Sequence, residues 1–504
     1  MFKPAPLFGA HCILPMGREL RVFGEADDGA QVRVSLRDAG GTELTCGRTA
    51  AADGRFLCIL PAVDDAQTGC TLNMTCGNES FAAKDVAVGL LFLAGGQSNM
   101  ELALWNADEG QTLIRSHEDT ELRYFNVPKC AIRDEAAIAQ EEVSHWETIR
   151  PDVGGDMSAV AYFFACRLRS LLKLPVGIID CYWGGTSITC WMDEEALART
   201  AEGTRYVSDW ETASGGKTME QFRAEWDAFQ AEMDEWNDKC AKLREQEPGI
   251  AFERIIELAG YCPWHPPIGP GSPYRPAGMY HTMLERVAPA ALTAILYYQG
   301  EEDAGKTTVY DQLLIQLVLR WRELFRAMDV PFVNMQLPMW IDRGVTDDGT
   351  WARTRMAQEK AHRMIGSSAL CCIIDCGELD NIHPTDKRTP GERLADEWLA
   401  LCCDAEAEAR LSPAVIARRP LPGRLLLTTD KPIRLVNGEA DLFEAAGQDG
   451  SFVPAKARLL DARTIELTAD GVAMPVYARY AYVAFAKVHV FGENGAPLRP
   501  FCLM

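Results

Sequence analysis

A chain of 504 residues is longer than one hydrophobic core usually organises, so its length predicts two or three domains. Hydrophobic residues make up 47% of the sequence and charged residues 24%, a balance that is typical of folded globular proteins and excludes a disordered chain. The formal net charge of −22 would repel phosphate backbones and anionic lipid heads, so neither nucleic acid nor a membrane surface is expected as a partner.

The N-terminus and the cysteines give expectations about compartment and metals. Residues 1–9 contain Pro and Gly where a signal peptide has an unbroken apolar stretch, and no run reaches the roughly 18 apolar residues that span a bilayer. The sequence therefore predicts a cytoplasmic protein, although a removed leader would leave the same pattern. The 17 cysteines are then expected to be reduced. Because paired C-x-x-C or His motifs are missing, we expect no metal.

The first predicted elements are short strands. Between residues 10 and 86, alternating runs such as 19–24 and 31–35 are separated by Asp-Gly turn signals. This pattern predicts a small β domain over residues 1–86.

From residue 87 to about residue 408, strand-like apolar runs alternate with helical ones, which is the pattern of a mostly parallel sheet flanked by helices. The predicted strands are residues 90–94, 176–182, 291–298, 332–337 and 369–375. The predicted helices cover residues 158–172, 309–325 and 351–364. A capping box from Thr389 to Glu392 predicts one more helix, with Pro390 at its first position.

An insertion at about residues 203–260 interrupts this alternation. Its apolar residues follow spacings of four and three, at Phe222, Trp226, Phe229, Met233, Trp236, Cys240 and Leu243. Such a stripe predicts a helix that lies against the body of its own chain, with dimerisation or a lid over the site as alternatives. After residue 408, a Pro-rich stretch at 412–423 indicates a linker or an edge, and the runs that follow predict a β domain over residues 409–504.

Four segments with chemically useful side chains follow predicted strands. The first runs from Gly95 to Glu101, where two glycines permit a tight strand-to-helix turn that would expose the hydroxyl of Ser98. The backbone N–H of Ser98 would then lie near a helix N-terminus, where negative charge is favoured. A helix N-cap serine is the ordinary alternative. Because the second glycine of the G-x-S-x-G elbow is missing, an ordinary α/β-hydrolase is not the best match.

The other three segments are each unremarkable when taken alone. The segment from Trp183 to Thr186 has the composition of a plain strand-to-helix turn. In the acidic loop that ends at Asp303, Gln299 could aim an amide N–H at the site.

The fourth segment places a carboxylate three residues before a histidine. Asp380 is close enough in the chain to orient His383 as a general base. All four segments would meet beyond the carboxyl ends of parallel strands, where ligands of such sheets bind. Together they supply a nucleophile, oxyanion donors and an oriented base, which acyl transfer requires.

These segments resemble a known family in their order and spacing. The blocks are residues 96–100, 183–186, 298–301 and 380–384, and they look like those of the sialate O-acetylesterase family within the SGNH hydrolases. The resemblance extends to residues 22–24 and 479–501, so it covers nearly the whole chain. It implies an α/β fold with a flavodoxin-like parallel sheet flanked by helices, and additional β domains at both ends.

By this resemblance Ser98 would be the nucleophile, His383 the base and Asp380 its partner. The N–H groups of Ser98 and Gly185 and the amide of Gln299 would form the oxyanion hole. Gln299 stands where the class name expects Asn. No cofactor is required for such a mechanism.

The resemblance also implies roles for two further residues, either in binding the substrate or in orienting a loop of the site. Glu301 would contact the substrate or orient the third loop. Arg355, in an Arg-x-x-Gln match, would contact the substrate, although a solvated helix face is the alternative.

The sequence thus predicts a carbohydrate esterase that removes O-acetyl groups from sialic acid. An acetylesterase for neutral polysaccharides such as acetylated xylan is one alternative, because the four blocks define the acyl chemistry and not the sugar. A noncatalytic carbohydrate-binding protein is another, against which intact Ser98, Asp380 and His383 argue. The oligomeric state is open.

Overall fold

The computed structural model describes residues 1–247, 250, 252–438 and 440–504. The chain divides into two compact units. The first consists of Met1–Glu302 and Gln312–Phe332, and the second of Asp303–Asp311 and Val333–Met504. These limits differ from the predicted domain boundaries after residues 86 and 408, which stay a prediction.

The first unit is built on a mixed β-sheet. Its strands are β1 (Phe2–Pro4), β2 (Ile13–Pro15), β3 (Leu20–Ala26), β4 (Gln31–Arg37), β5 (Glu43–Ala50), β6 (Arg55–Leu60), β7 (Gln67–Cys76), β8 (Glu79–Gly96), β9 (Asp119–Asn126), β10 (Trp146–Ile149), β11 (Val176–Tyr182) and β12 (Ala294–Tyr298). Within this unit the central order is β10-β9-β11-β8-β12, while β1, β3 and β6 form a smaller sheet. The N-terminal alternation therefore does produce strands, as predicted.

Strand β8 joins the N-terminal β region to the central sheet. Its first half pairs antiparallel with β7, and its second half pairs parallel with β11 and β12. The first half is mostly exposed, whereas residues 86–96 are all buried, as expected for a strand covered on both faces. The predicted boundary between residues 86 and 87 thus falls inside one continuous strand.

Helices accompany this sheet. They are α1 (Ser98–Glu101), α2 (Gly110–Ser116), α3 (Glu135–Glu142), α4 (Ala159–Leu172), α5 (Glu194–Ala198), α6 (Ala201–Ser214), α7 (Met219–Gln246), α8 (Phe252–Ala259), α9 (Glu285–Val287) and α10 (Tyr310–Leu324). Helix α4 begins where predicted, because the Ser158 hydroxyl accepts from the backbone N–H of Ala161. In the described part of the chain, no helix is both long and apolar enough to cross a bilayer.

The apolar stripe of the insertion lies on α7. Thr218 and Gln221 form a capping box at its start. Phe222 and Phe229 are buried, and the indole N–H of Trp236 donates to the carbonyl of Gly260 at 3.0 Å. The stripe therefore packs against its own unit, as predicted for a helix lying against its own chain.

The second unit contains further strands and helices. Its strands are β13 (Phe332–Met335), β14 (Ser368–Cys371), β15 (Val415–Leu421), β16 (Arg424–Thr429), β17 (Ile433–Leu435), β18 (Phe443–Ala446), β19 (Val453–Asp461), β20 (Thr464–Ala469), β21 (Tyr477–Tyr480), β22 (Val490–Gly492) and β23 (Phe501–Leu503). Its helices are α11 (Thr350–Met364), α12 (Arg388–Leu401) and α13 (Ala405–Arg410).

The predicted capping box at Thr389 is wrong. Helix α12 begins two residues earlier than predicted, at Arg388, so Pro390 is its third residue instead of its first. The backbone N–H of Thr389 is satisfied by the carboxylate of Asp386 at 3.0 Å. An upstream aspartate therefore replaces the cap that the pattern indicated.

The C-terminal part forms a sheet in the order β15-β16-β20-β19-β18-β21-β23. Its core includes the rings of Phe443 and Tyr480, whose centroids are 4.5 Å apart at an interplanar angle of 32°, together with Phe501. The Pro-rich stretch becomes β15, an edge strand in which Pro420 is tolerated. Of the two alternatives predicted for this stretch, the edge is the one that forms.

Candidate active site

Three of the four predicted segments leave the central sheet at the same edge. In the parallel register, Gly96 at the end of β8 is the partner of both Tyr182 on β11 and Tyr298 on β12. The backbone N–H of Gln97 donates to the carbonyl of Tyr298 at 3.1 Å, and that of Trp183 donates to the carbonyl of Gly96 at 3.2 Å. The three loops are therefore tied together at their first residues.

The turn before Ser98 requires a glycine. Gly96 has φ = 137°, and a Cβ added there would lie 2.8 Å from the carbonyl carbon of Tyr298. After this turn Ser98 is the first residue of α1. Ser98 remains partly exposed while Asn99 and Met100 are buried, so the serine is the residue of this turn that a ligand can reach.

The second loop lies directly beside Ser98. A Cβ added at Gly184 would be 3.3 Å from the Cβ of Ser98. The backbone N–H of Gly184 donates to the carboxylate of Glu101, which is also paired with Lys129. Glu101 thus ties the second loop to the helix that carries Ser98.

The next residue of this loop, Gly185, has a backbone N–H suited to receive negative charge. It has φ = 72°, which glycine adopts without strain. Among the described residues none accepts a hydrogen bond from the N–H of Gly185. This N–H group belongs to the residue after Gly184, which lies beside Ser98, and it is available to a ligand.

A buried pair of glutamines connects all three loops. The Oε1 atom of Gln97 accepts from Nε2 of Gln299 at 3.0 Å and from the backbone N–H of Glu302 at 3.2 Å. Nε2 of Gln299 also donates to the carbonyl of Thr186 at 3.2 Å. Because both N–H groups of the Gln299 amide have acceptors, it would have to leave one of them to donate to an oxyanion.

A second amide links the first loop to the third. Nδ2 of Asn99, which is fully buried, donates to Oε1 of Glu301 at 2.7 Å. This contact orients the third loop, which is one of the two roles predicted for Glu301. Contact of Glu301 with a substrate stays a prediction.

The fourth segment belongs to the second unit, where Asp380 and His383 share one loop. Asp380 has φ = 63°, and its carboxylate accepts from the backbone N–H of Arg343 and pairs with the Arg343 guanidinium at 3.1 Å. The backbone N–H of His383 donates to the side chain of Asn381 at 3.0 Å. The carboxylate of Asp380 is therefore held by Arg343, and its role as the partner of His383 stays a prediction.

The surroundings of His383 favour its neutral form. Desolvation lowers the pKa of its imidazole, and the positive charge of Lys387 lowers the pKa further. The residue as a whole is exposed. A neutral imidazole is what a general base needs.

Arg355 does not occupy a position that a substrate can reach. The residue has 0% exposure, and its guanidinium donates to the backbone carbonyls of Ala481 and Val483. Desolvation lowers its pKa to about 10. The predicted substrate-binding role of Arg355 is therefore wrong, and so is the alternative of a solvated helix face. Arg355 instead ties α11 to the C-terminal segment of its unit.

Three positioning residues lie inside the first segment and were not predicted from the sequence. Gln97, Asn99 and Glu101 each bond to another loop, whereas only Ser98 was assigned a role there. The sequence signal for this role was the presence of two amides and a carboxylate around a glycine turn. Buried polar side chains need hydrogen-bond partners, so such residues indicate contacts with other loops.

The next features are the potential metal ligands and the cysteines. In the residues that the structure describes, His, Cys, Asp and Glu form no group of three that could hold a metal ion. All 17 cysteines are free thiols. The expectations of a metal-free and reduced protein stay predictions.

Several known proteins are similar to this chain. Residues 264–400 match the family model described as carbohydrate esterase, sialic acid-specific acetylesterase. The sialate O-acetylesterase of Rattus norvegicus is 23% identical over 518 residues, covering 94% of this chain and 87% of the rat protein. That of Homo sapiens is 22% identical, covering 92% of this chain and 84% of the human protein.

A solved structure also matches. The crystal structure of a carbohydrate acetylesterase from Xanthomonas citri covers 99% of both chains with a TM-score of 0.74 at 24% identity. At this identity the likeness supports the fold, an α/β sheet with helices and additional β-sheets. The resemblance drawn from the four segments is confirmed.

Proposed function

We propose that this chain, a carboxylic ester hydrolase related to the sialate O-acetylesterases, removes O-acetyl groups from sialic acid as a serine esterase of the SGNH class. One observation carries the acyl-transfer chemistry. The partly exposed Ser98 lies at the carboxyl end of β8 beside a loop that offers the N–H of Gly185. A nucleophile next to an available backbone donor is what attack on an ester carbonyl needs.

In the first half of the reaction, Oγ of Ser98 attacks the acetyl carbonyl carbon and His383 takes the hydroxyl proton. The backbone N–H groups of Ser98 and Gly185 stabilise the negative oxygen of the tetrahedral intermediate. When the intermediate collapses, the bond from carbon to the sugar oxygen breaks, and His383 returns the proton to that oxygen. The products are the free sugar hydroxyl and an acetylated Ser98.

In the second half, water replaces the sugar. His383 takes a proton from the water as it attacks the acetyl carbonyl, and then gives this proton back to Oγ of Ser98 as acetate leaves. Asp380 holds the imidazole in the orientation that this exchange requires. Gln299 supports the oxyanion loops through Gln97 and Thr186, and it serves as a third donor only if it releases one of these contacts.

A sialic acid carries a carboxylate, which a chain of net charge −22 does not attract from a distance. Recognition therefore needs a local cation, and Lys129 is a candidate. Its side chain is 40% exposed, and its ammonium lies 5.7 Å from the ring centroid of Trp183 in the second loop. The pairing of Lys129 with Glu101 leaves its remaining N–H groups able to meet the sugar carboxylate.

Replacing Lys129 tests the anionic substrate. We expect Lys129→Met to lower kcat/KM for an O-acetylated sialic acid at least fivefold, and to change kcat/KM for acetylated xylo-oligosaccharides less than twofold. A charge pair at a partly exposed site supplies about 1 kcal/mol, which corresponds to this factor. Wild-type protein that hydrolyses only the neutral sugar would contradict the sialic acid assignment and leave the acyl chemistry standing.

Replacing Ser98 tests the acyl-transfer mechanism. We expect Ser98→Ala to lower the rate of hydrolysis of an aryl acetate by at least a factor of about 10³, because no other group supplies the nucleophile. Ser80→Ala is the matched control, since Ser80 is an exposed residue on the same strand that leads to the site. Circular dichroism checks that both variants fold. Turnover of Ser98→Ala near the wild-type rate would contradict the proposal.

A further inference from the structure

The segment that follows the insertion helices exposes large apolar side chains. Exposed residues include Tyr261 (61%), Trp264 (43%) and Ile268 (36%). Isolated exposed apolar residues need no explanation, but several within one short segment are typical of a ligand or partner surface. Trp264 is set apart from the others by its position.

The side chain of Trp264 packs against the loop that contains Gly185. A Cβ added at Gly185 would lie 2.9 Å from Cη2 of Trp264 and closer still to Cζ2. The indole therefore occupies the space that any side chain at position 185 would need. Because Gly184 of the same loop is next to Ser98, the exposed indole stands beside the acyl-transfer position of the first unit.

The indole is held in this position by its own unit. Phe229 of α7 and Tyr274 contact it edge to face, at centroid distances of 6.0 and 5.5 Å and interplanar angles of 71° and 75°. Phe229 is buried. Contacts at its edges fix the ring while leaving it 43% exposed.

We propose that Trp264 is a sugar-binding platform, on which the pyranose ring of the acetylated substrate stacks while its acetyl group lies at Ser98. This proposal rests on the proposed function and adds the subsite that holds the leaving sugar. The faces of a pyranose ring carry C–H groups, and an indole offers a large, rigid apolar face at little entropic cost. The insertion helix α7 is the scaffold for this platform, which gives the insertion a role in substrate choice.

The test compares substrates with and without a sugar. Ethyl acetate carries the acetyl group and no ring, so its hydrolysis reports on Ser98 and the oxyanion loop alone. We expect Trp264→Ala to lower kcat/KM for an acetylated sugar at least tenfold and to change kcat/KM for ethyl acetate less than threefold. Trp264→Phe should retain most of the activity on the sugar because a flat ring is kept. Tyr261→Ala is the matched control and should stay within twofold on both substrates.

Binding without turnover gives a second readout. The deacetylated sugar should bind at least tenfold more weakly to the Ser98→Ala, Trp264→Ala double variant than to Ser98→Ala, as measured by calorimetry. Equal losses on both substrates would mean that Trp264 acts only by supporting Gly185, and would overturn the platform. Unchanged sugar kinetics in Trp264→Ala would overturn it as well. Failure of the esterase proposal would be distinct, because Ser98→Ala would then retain its activity on ethyl acetate.

Discussion

Ser98 and His383 depend on different properties of their surroundings. Ser98 needs an exposed hydroxyl next to backbone donors, and the glycine turn before it together with the Gly184 loop beside it supplies both. His383 needs to be uncharged, and desolvation with the nearby Lys387 charge lowers its pKa. Each requirement is met by the residues around it within its own unit.

The lowered pKa of His383 predicts the acid limb of the pH profile. A base works only when neutral, so activity is lost as the pH falls through the pKa of the imidazole. Because that pKa is lowered, we expect kcat/KM for an aryl acetate to stay constant down to below about pH 6.5, the ordinary value for histidine. The measurement is kcat/KM as a function of pH from about 4 to about 8. Circular dichroism at each pH shows where the protein stays folded, and only those points are used.

The variant His383→Gln decides whether this limb belongs to His383. We expect its residual activity to lack the limb and to be at least about a hundredfold lower than wild type, which is the usual scale of general base catalysis. His145→Gln is the control, because His145 is an exposed histidine of the first unit. An apparent pKa above 6.5 in the wild type would contradict the lowering by desolvation and Lys387.

At the scale of elements, three loops are joined by the Gln97 and Gln299 side chains. Strands β8, β11 and β12 end in register, so their loops begin together, and the two buried amides then hold the loops to each other. The amide of Gln299 reaches both the first loop, through Gln97, and the second, through Thr186. A network of this kind fixes the distance between the nucleophile and the backbone donors.

The variant Gln299→Ala separates support of the loops from donation to the oxyanion. Loss of the amide leaves the Oε1 atom of Gln97 and the carbonyl of Thr186 without this donor, which costs about 1–3 kcal/mol for a buried acceptor. We therefore expect a lower melting temperature together with a lower kcat. Gln140→Ala, at an exposed position of α3, should change neither. A large loss of kcat at an unchanged melting temperature would contradict the supporting role and favour direct donation to the oxyanion.

The elements differ in how far the sequence predicts them. Strand β11 has the predicted bounds, 176–182, because a run that is apolar except for Asp180 leaves little freedom between its two turns. Strand β8 is far longer than the predicted 90–94, since its first half is mostly exposed and was assigned to another domain. Arg355 was misplaced because its pairing with backbone carbonyls of a distant segment leaves no local pattern.

The candidate site was predictable to the level of its loops. Motif spacing predicted Ser98 and the Gly184 loop because each follows a strand, and strands β8 and β11 do end in register. The Asp380 loop belongs to the second unit, and its place in the site stays a prediction. The partners of Gln299 depend on the order of the strands in the sheet, which no local pattern encodes. The position of Trp264 on Gly185 depends on how the insertion folds back, and a tryptophan in a Pro-rich segment gave no signal of it.

For the molecule as a whole, we predict reduced thiols and an activity that does not depend on a metal ion. Most of the 17 thiols are buried, and burial raises the pKa of groups such as Cys12 and Cys372, the latter to about 11. Such thiols react slowly because the thiolate is the nucleophile. We expect thiol reagents to modify mainly Cys46, Cys402 and Cys403 in the native protein and all 17 thiols after denaturation without reductant.

A chelator completes this test, because the proposed mechanism uses no metal. Esterase activity should be unchanged after prolonged treatment with a strong chelator and gel filtration. Several disulfides in the denatured protein, or activity that is lost with chelator and restored by zinc, would contradict the prediction. Neither result would alter the assignments of Ser98 and His383.

The measurement that most directly tests the account is labelling of the native protein with a fluorophosphonate, followed by mass spectrometry of its tryptic peptides. The peptide of residues 85–115 contains Ser98 as its only serine. We expect one label per chain, located on Ser98, and loss of acetylesterase activity in proportion to labelling. Label on a different residue, or full acetylesterase activity in the fully labelled protein, would contradict the assignment of Ser98 as the nucleophile.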